Sequence, residues 1–334
     1  MTFLNSCNGQ NKRLVENEPT PINAGFENQD KPPEAVDGII YFSRDNGSSW
    51  ENTSNGLPEK TSIGLGGIGI SNDLIAVATN DNGVYLFDFQ KSIWQNIPTD
   101  TKIIKNNLKG LIFHKNEIYV GTQYGGIFST YNQGKTWTTK NSGLLNLTIR
   151  RFAEVNNKLY AGTNGGLYSY DDSNDKWKLE YGHSSLQVNG IAELDGNIYI
   201  GTNQGAYKFD KELRKWKQVF STVSLHNISA FDNTIYAMTY NELFSSIDMG
   251  ESWVNLQKGL PKDLYTFNIL KNDDSIFAGQ WDGIYRKDRS NEDWKPSSKG
   301  LPDKFSATNF KTYKSVLIIS CAERKLGKGL TTEK

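Results

Sequence analysis

The stretch QVNGIAELDGNIYIGTNQGAYKFDKELRKWKQV, from Gln187 to Val219, contains the pattern that decides the fold. Short segments rich in β-branched and aromatic residues are separated by Gly, Asn or Asp, beginning with the dipeptide Asp195-Gly196. These residues favour turns with positive φ. The stretch therefore predicts four consecutive antiparallel strands, of which the second runs from Ile198 to Thr202.

The same pattern recurs along most of the chain. About twenty residues before most of the tryptophans, an apolar run ends on a small residue, which indicates a buried strand; these runs are LIAVAT, EIYVGT, KLYAGT, NIYIGT, TIYAMT, SIFAGQ and VLIISC. Seven of the eight tryptophans mark the fourth strand of a copy, at spacings of 37 to 44 residues: Trp50, Trp94, Trp137, Trp177, Trp216, Trp253 and Trp294. Four strands in a period of about forty residues predict the blade of a β-propeller.

The two ends of the repeat region complement each other. Trp50 is preceded by the third-strand sequence DGIIYFS without two inner strands, whereas the last copy has inner strands at Phe305 to Lys311 and Val316 to Cys321 but no outer strands. Pairing of these fragments would close the ring and leave no open sheet edge. The sequence thus predicts an all-β, seven-bladed propeller of four-stranded antiparallel blades over residues 37–321, followed by a C-terminal tail over 322–334.

Three turns between the third and fourth strands share the pattern Ser/Thr-x-Asp/Asn-x-Gly-x-x-Trp. The acid or amide can accept backbone N–H bonds within the hairpin, the glycine can adopt positive φ, and the indole can pack against its own blade. Such turns lie on the outer rim of a propeller, so we expect a structural role for them. The residues are Ser43, Asp45, Gly47 and Trp50; Thr130, Asn132, Gly134 and Trp137; and Ser246, Asp248, Gly250 and Trp253.

This motif resembles the Asp-box, or BNR repeat, of the sialidase-like superfamily, which includes sialidases, xyloglucanases, sortilin-type receptors and the propeller-type photosystem II assembly factor. The Gly-Leu-Pro segments at 56–58, 259–261 and 300–302 are similar to those of BNR propellers. The segments IYIGTNQGAYKFD and LYAGTNGGLYSYD are similar to the propeller repeats of two-component regulators. The resemblance covers residues 37 to 321 and implies an architecture, but one fold hosts many functions.

An enzymatic function is the alternative that the resemblance raises. Sialidases of this family carry an Arg-Ile-Pro motif, two further arginines that clamp the substrate carboxylate, an Asp acid and a Tyr/Glu pair. The chain has no Arg-Ile-Pro, and an arginine triad would have to come from Arg150, Arg151, Arg286, Arg289 and Arg324. Xyloglucanases of the family need two propellers, and this chain has one. We therefore predict no catalytic residues and keep an exo-sialidase-like glycoside hydrolase as the alternative function.

The composition of the chain limits the classes of partner and cofactor to be expected. The chain has 37 Lys+Arg and 37 Asp+Glu, so no basic excess draws it to nucleic acid or to a membrane surface. Three histidines and two cysteines lack metal-ligand spacing, and no phosphate-binding loop is present. The sequence predicts no metal and no cofactor, and it favours a monomer whose partner is a protein or a glycan.

Irregular residues in the repeat indicate a candidate ligand-binding face. Trp281 lies outside the repeat position, next to Asp282, in the loop after a second strand; Tyr240 and Tyr124 occupy similar loops. The inner strands begin with Lys109, Arg150, Arg151 and His226 where other blades carry Gly, Asn, Phe or Thr. Both sets belong to one face and would surround the mouth of the central channel. They predict a basic mouth with an aromatic platform, although Trp281 could instead cover a blade junction and the cations could be ordinary surface charge. The function that follows is a non-catalytic binding or assembly module.

The first residues bear on location. Leu4 to Cys7, LNSC, resembles a bacterial lipobox, in which the cysteine is lipidated, and residues up to 36 form a polar, proline-containing stretch typical of a flexible linker. Only three residues precede Leu4, without a basic region or an apolar segment. We expect an exported lipoprotein of the cell envelope that contacts the membrane only through a lipid on Cys7; a chance match would leave a cytoplasmic protein.

Overall fold

The computed structural model of the protein describes residues 38–221, 223–262, 264, 266–288 and 293–322. Over these residues the chain forms seven four-stranded antiparallel sheets. The first strand of each sheet contacts the first strand of the next, and the contacts continue around a complete ring. The predicted seven-bladed β-propeller is confirmed. No helix in the described part of the chain is long and apolar enough to cross a lipid bilayer.

The strands follow the ring in chain order. The chain enters with β1 (Ile40–Ser43) and β2 (Glu51–Asn52), which become the outer strands of blade 7. Blade 1 contains β3 (Ile63–Ile70), β4 (Ile75–Thr79), β5 (Gly83–Asp88) and β6 (Ile93–Ile97). The short helix α1 (Thr101–Ile104) leads into blade 2, with β7 (Leu108–His114), β8 (Glu117–Thr122), β9 (Ile127–Thr130) and β10 (Thr138–Thr139). Blade 3 contains β11 (Ile149–Val155), β12 (Lys158–Thr163), β13 (Gly166–Asp171) and β14 (Lys176–Tyr181).

The second half repeats this arrangement. Blade 4 contains β15 (Val188–Leu194), β16 (Asn197–Thr202), β17 (Gly205–Asp210) and β18 (Lys215–Ser221). Blade 5 contains β19 (Leu225–Phe231), β20 (Thr234–Thr239), β21 (Leu243–Ser246) and β22 (Val254–Asn255). Blade 6 contains β23 (Thr266–Asn272), β24 (Ser275–Gln280), β25 (Ile284–Asp288) and β26 (Lys295–Pro296), and blade 7 begins with β27 (Asn309–Tyr313) and β28 (Val316–Ser320).

Blade 7 closes the ring as the sequence predicts. Strand β1 pairs antiparallel with β28, from Ile40 opposite Ser320 to Ser43 opposite Leu317. The inner strand, however, starts at Asn309, not at the predicted Phe305. The reason is a bond to the neighbouring blade: the Ala307 N–H donates to the Gln280 carbonyl of blade 6. Thr308 still donates its N–H to the Ser320 carbonyl of β28 at 2.9 Å, so the segment before Asn309 contacts both blades.

The inner strands of blades 2 to 6 share a β-bulge at their second residue. In β7 the register shifts between Leu108 and Gly110, and in β11 between Ile149 and Arg151. The same shift occurs in β15, β19 and β23. A bulge leaves one residue unpaired and re-aims its side chain. Because the bulges lie at equivalent ends of neighbouring strands, they place one irregular side chain per blade at the same end of the channel.

The second strands are buried along almost their whole length. Every residue of β4 is buried, and β8, β12 and β20 are buried except at their first residue. Alternate side chains of a strand point to opposite faces of its sheet, so a strand that is buried throughout must be covered on both faces. Neighbouring blades provide this cover, as where Val120 of β8 packs with Ala78 of β4. The core therefore lies between the blades, and the channel is lined by their first strands.

The three Ser/Thr-x-Asp/Asn-x-Gly-x-x-Trp turns have a common hydrogen-bond pattern. The Ser43 hydroxyl donates to Asp45 Oδ1 at 2.8 Å, and the Ser49 N–H donates to the same oxygen at 2.9 Å. Asp248 has matching bonds, and Asn132 accepts the Thr136 N–H at 2.9 Å. The glycine of each turn has positive φ, at 79°, 84° and 94° along the chain. The turns are thus held by side-chain oxygens at the outer edge of the blades.

The repeat tryptophans make a contact that the sequence did not indicate. The Trp177 ring packs within its own blade, with its centroid 4.9 Å from that of Tyr170. Its indole N–H, however, donates to Lys140 O of the preceding blade at 2.8 Å. The indoles of Trp50, Trp94, Trp137, Trp253 and Trp294 each bond a carbonyl of the preceding blade in the same way. The tryptophan therefore joins blades as well as filling one.

Candidate functional site at the channel mouth

A cavity of about 570 Å³ occupies the end of the channel where the inner strands begin. Side chains from blades 1 to 6 line it, and five of the eight residues that the sequence indicates for ligand binding are among them: Lys109, Arg150, Arg151, His226 and Tyr240. The bulges of β7, β11 and β19 bring Lys109, Arg150 and His226 to the same opening. Their role in binding stays a prediction.

Amide groups position the two arginines. Arg150 donates from Nε to Asn189 Oδ1 at 2.5 Å and from Nη1 to Asn164 Oδ1 at 3.0 Å. Arg151 donates from Nε to the Asn189 carbonyl at 3.1 Å. These bonds hold both guanidinium groups without neutralising them. Each keeps donor groups available for an incoming oxyanion.

The cavity carries positive charge, and no carboxylate lines it within the part of the chain that the structure describes. Asp81, which is not part of the lining, attracts the Lys109 ammonium and partly offsets the effect of burial on its pKa. No Asp or Glu side chain there lines the cavity or forms an ion pair with Lys109, Arg150 or Arg151. Burial lowers the pKa of Lys109 and of Arg150, and burial with repulsion from Arg150 lowers the pKa of Arg151 to about 10. Arg151 still carries its charge at neutral pH. An acidic group is the complementary ligand.

His226 contributes no charge to this site. The ring is buried and its Nε2 donates to the Thr239 carbonyl at 2.9 Å. Burial lowers the pKa of His226 to about 4, so the ring is neutral at pH 7. In the sequence His226 aligns with the cations of the other inner strands, and its burial is not visible in the repeat. In the folded protein it is part of the wall between the cations and an aromatic row.

That aromatic row extends from the cavity across blades 5 and 6. The His226 ring lies 5.4 Å from Tyr240 and 6.1 Å from Phe267, and Phe267 lies 5.7 Å from Trp281. Trp281 does not line the cavity, but 43% of it is exposed at the end of the row. Exposed indole next to a basic cavity offers a surface for stacking or apolar contact. The alternative, that Trp281 only covers a junction, stays open.

Besides Trp281, two more of the sequence-predicted residues, Tyr124 and Asp282, lie outside the cavity. Tyr124 is 64% exposed, and its N–H donates to the Asn106 carbonyl; its neighbour Gln123 lines the cavity. Asp282 accepts the Tyr285 hydroxyl at 3.0 Å, which orients its carboxylate within its own blade. The structure thus brings neither side chain to the cations. Cys7, the predicted lipidation site, lies outside the described residues.

The sequence analysis did not single out a set of asparagines that joins the inner strands. At the start of four of these strands, an asparagine donates its Nδ2 to a carbonyl of the next blade. The donors are Asn189 to Leu225, Asn227 to Phe267, Asn268 to Thr308 and Asn309 to Gly64, at 2.6 to 3.1 Å. Recurrence of Asn at the aligned positions 227, 268 and 309 was the available signal, and Asn189 lies one position earlier in its strand. Together with the bonds from Arg150 and Arg151 to Asn189, they tie blades 3 to 7 and blade 1 around the mouth.

Lys311 was also missed. It lies two residues after Asn309 in β27, where its side chain is exposed and the aligned inner strands carry small or apolar residues. A lysine inside an inner strand was the signal that could have identified it. No group of three or more His, Cys, Asp or Glu side chains in the described ranges is arranged to hold a metal ion.

No protein-family model matches the sequence, and no curated protein matches it. Solved structures do match the fold. The extracellular domain of the one-component system BT4673 from B. thetaiotaomicron aligns with a TM-score of 0.67 at 13% identity, over 88% of this chain and 39% of that one. YCF48 bound to D1 peptide aligns with a TM-score of 0.60 at 13% identity, over 82% of this chain and 95% of that one.

A further match is PorZ, a surface component of the type-IX secretion system of Porphyromonas gingivalis. Its TM-score is 0.52 at 12% identity, over 69% of this chain and 32% of that one. This chain therefore spans about two fifths of the solved extracellular domain of BT4673, a third of the solved PorZ chain and nearly all of the solved YCF48 chain. The shared feature is the propeller fold. At these identities the matches establish the fold and leave the function to the site.

Proposed function

We propose that the chain is a non-catalytic binding or assembly module of the bacterial cell envelope, and that its channel mouth holds an acidic group of a protein partner. The observation that carries this is the convergence of Lys109, Arg150 and Arg151 on one cavity whose described lining contains no carboxylate. Positive groups in a partly buried, preorganised site attract carboxylates and phosphates. The exposed Trp281 at the end of the aromatic row would add an apolar contact.

The same lining disfavours the glycoside hydrolase alternative. Retaining and inverting glycosidases use a pair of carboxyl groups about the scissile bond, and the described lining offers none. A sialidase clamp needs three arginines, but Arg286 lies in β25 and bonds Asp288 and the Asn46 carbonyl. Arg289 and Arg324 lie outside the described residues. The hydrogen bonds of the three Asp-box-like turns support a place among BNR-type propellers, a fold class that does not by itself imply catalysis.

One structural neighbour, YCF48, has been solved with a bound peptide, and this favours a protein partner over a glycan. The envelope location rests on the LNSC segment around Cys7 and on neighbours that are described as extracellular or surface proteins. A tethered propeller would present the channel mouth to partners within the envelope. The tether and its lipid are part of the proposal.

Peptide binding tests the proposal directly. An array of acidic peptides with free C-termini, and the same peptides with amidated C-termini and Gln or Asn for the acids, would be probed with the whole chain. We expect acidic peptides to bind, with affinity that falls as salt rises. A Lys109→Gln/Arg150→Gln variant should bind at least about tenfold more weakly, and Lys135→Gln on the outer rim is the control with the same chemistry.

Two results would count against this function. Equal binding of acidic and neutral peptides by the wild type and the double variant would exclude the basic mouth as the site. Turnover of a fluorogenic sialoside, lost in the same double variant, would favour the hydrolase. Circular dichroism and melting of each variant would establish that the propeller remains folded.

A further inference from the structure

Exposed apolar side chains border the mouth cavity on the loops of blades 2 and 3. Tyr124, Leu145 and Leu147 are all exposed, and for Leu145 the exposed fraction is 85%. Tyr124 directly follows Gln123, and Leu147 directly precedes Thr148; both of these neighbours line the cavity. The three exposed side chains form the first apolar border of the mouth.

A second apolar border lies three blades further around the ring. Tyr240 lines the cavity and is half exposed, and Trp281 is exposed at the end of the aromatic row. The cavity separates the two borders, and its wall carries Lys109, Arg150 and Arg151. Positive charge at the mouth therefore has exposed apolar groups on both sides.

Hydrogen bonds hold the loops of the first border in place. The Gly126 N–H donates to the Leu147 carbonyl at 3.0 Å, and the Leu145 N–H donates to the Tyr168 hydroxyl at 3.4 Å. The segment 141–149 contains no charged residue. Large apolar side chains that stay exposed on loops fixed in this way are typical of interaction sites, because binding buries them with little loss of conformational entropy.

The charges on the neighbouring loops indicate which kind of partner fits this face. The loops that follow the second strands, at 80–82, 123–126, 164–165, 203–204, 240–242 and 281–283, carry Asp81, Glu242 and Asp282 and no lysine or arginine. Asp81 and Glu242 are exposed, whereas the three mouth cations are partly buried. An anionic lipid surface would be repelled by these carboxylates, but a single acidic side chain can enter the cavity. A protein segment is therefore the better match.

We propose that the channel mouth binds an internal peptide segment in which an acidic residue lies between two apolar residues. This ligand rests on the function proposed above and specifies its partner. The acidic side chain would enter the cavity and form charge-assisted hydrogen bonds with Arg150 and Lys109. One apolar residue would pack on the first border and the other on the second. Because the borders lie on both sides of the cavity, the peptide must continue in both directions from its acid; a chain terminus in the cavity would reach only one border.

Fluorescence anisotropy with synthetic peptides tests this pattern. Each full probe has blocked ends, one central Glu, and one Phe at two, three or four positions on each side, with Gly and Ser elsewhere. Matched probes carry Ser in place of one Phe or of both, or Gln in place of Glu. We expect the best full probe to bind the whole chain about a hundredfold more tightly than the probe without Phe, with about tenfold from each Phe.

Leu145→Ser/Leu147→Ser removes most of the first border and leaves the cations in place. It should bind the full probe about tenfold more weakly and the probe without Phe as the wild type does. Its effect should be non-additive with Ser at one Phe position and additive with Ser at the other, because only one Phe contacts this border. Leu213→Ser/Ile247→Ser removes two exposed side chains from hairpins between third and fourth strands and is the control. Leu145→Ser alone serves if the double variant does not fold.

The outcomes separate this ligand from the function on which it rests. Equal affinity of the wild type for the full probe and the probe without Phe, or full affinity in Leu145→Ser/Leu147→Ser, would overturn the internal segment; binding that still required Glu would leave the acidic partner standing. Equal affinity for the Glu and Gln probes would overturn both. Cosedimentation with phosphatidylglycerol–phosphatidylcholine vesicles, lost in the same double variant, would show that the first border contacts lipid and would also overturn the internal segment.

Discussion

Asp45, Asn132 and Asp248 occupy the same position in three turns and receive the same hydrogen bonds. A hydroxyl two residues earlier and an N–H four residues later both donate to one side-chain oxygen. Hydrogen bonds from Ser49 and Ser252 lower the pKa of Asp45 and of Asp248 to about 2. Asn132 keeps the same pattern without a charge. The turn therefore requires an acceptor oxygen at this position, and it can form without the negative charge.

Asp248→Ala should lower the Tm by several degrees at pH 7, because the N–H and hydroxyl of Ser252 lose their acceptor. Asp248→Asn should retain most of the stability, since Asn132 shows that an amide can occupy this turn. The pKa of Asp248 is lowered on folding, so its charge stabilises the fold above about pH 4, and this contribution is lost as pH falls towards 2. Melting curves at pH 7, 4 and 2.5 check both points. Equal Tm for the Ala and Asn variants would contradict the acceptor role.

His226 should make the stability of the protein depend on pH in mildly acidic solution. Its pKa is about 4 when folded, against an ordinary value of 6.5, so the unfolded chain binds a proton that the folded chain excludes. The contribution is complete above pH 6.5 and is lost as pH falls to 4; at pH 4 the loss is up to about 3 kcal/mol. His226→Gln, which can still donate to the Thr239 carbonyl, should show a smaller loss. Urea unfolding of the wild type and of His226→Gln at pH 7.5 and 4.5 measures the loss of stability. Equal losses in the two proteins would contradict the assignment of this pH dependence to His226.

The tryptophan that begins each fourth strand is a connection between neighbouring blades. At Trp177 the indole N–H donates to Lys140 O and the backbone N–H donates to Ser142 O, both at 2.8 Å. Gly143 follows with a φ of 85°, and a methyl group there would lie 2.1 Å from the Trp177 carbonyl. The Gly-Leu segments after the fourth strands are thus needed for close approach of the next blade. This explains why Gly and Trp recur together in the repeat.

Trp177→Phe should lower the free energy of unfolding by roughly 1–2 kcal/mol, because the Lys140 carbonyl loses its donor while most of the ring remains. Trp177→Ala should cost about 3–5 kcal/mol through the cavity it leaves. The matched control is Trp216→Phe: Trp216 stacks on Tyr181 at 5.1 Å and makes no indole hydrogen bond among the described residues, so its cost should be smaller. Urea unfolding measures the free energy that each of the three variants loses relative to the wild type. A Trp216→Phe loss equal to that of Trp177→Phe would exclude the indole bond as the cause.

The ring as a whole was predictable from the sequence, whereas the details of its centre were not. Tryptophan spacing, the apolar second strands and the complementary ends each follow from local residue patterns, and they gave the blade count and the closure. Lys109 and Arg150 could be aligned from the sequence, but the bulges that direct them to one cavity could not be recognised there. A bulge is defined by the pairing with the partner strand, which the sequence does not show. The burial of His226 and the positions of Arg150 and Arg151 depend on contacts with neighbouring blades. Such contacts between blades leave no pattern within one repeat.

Closure between the two ends of the chain should govern the stability of the complete propeller. Deleting residues 1–54 removes β1 and β2 and exposes the whole of β28, whose backbone groups pair with Ile40 to Ser43. It also removes Trp50, which bonds two carbonyls of the blade 6 segment, at Ser297 and Lys299. An open edge of this kind invites pairing between molecules. We expect the variant to lose several kcal/mol of stability or to aggregate.

A chain that lacks only residues 1–37 is the reference for this deletion, because it retains every described strand. Its melting temperature and elution volume in size-exclusion chromatography would be compared with those of the shorter chain at several concentrations. A separate peptide spanning residues 38–54, added to the shorter chain, should restore part of the lost stability by pairing with β28. If the two deletions melt at the same temperature and both elute as monomers, the pairing of β1 with β28 is not what closes the ring.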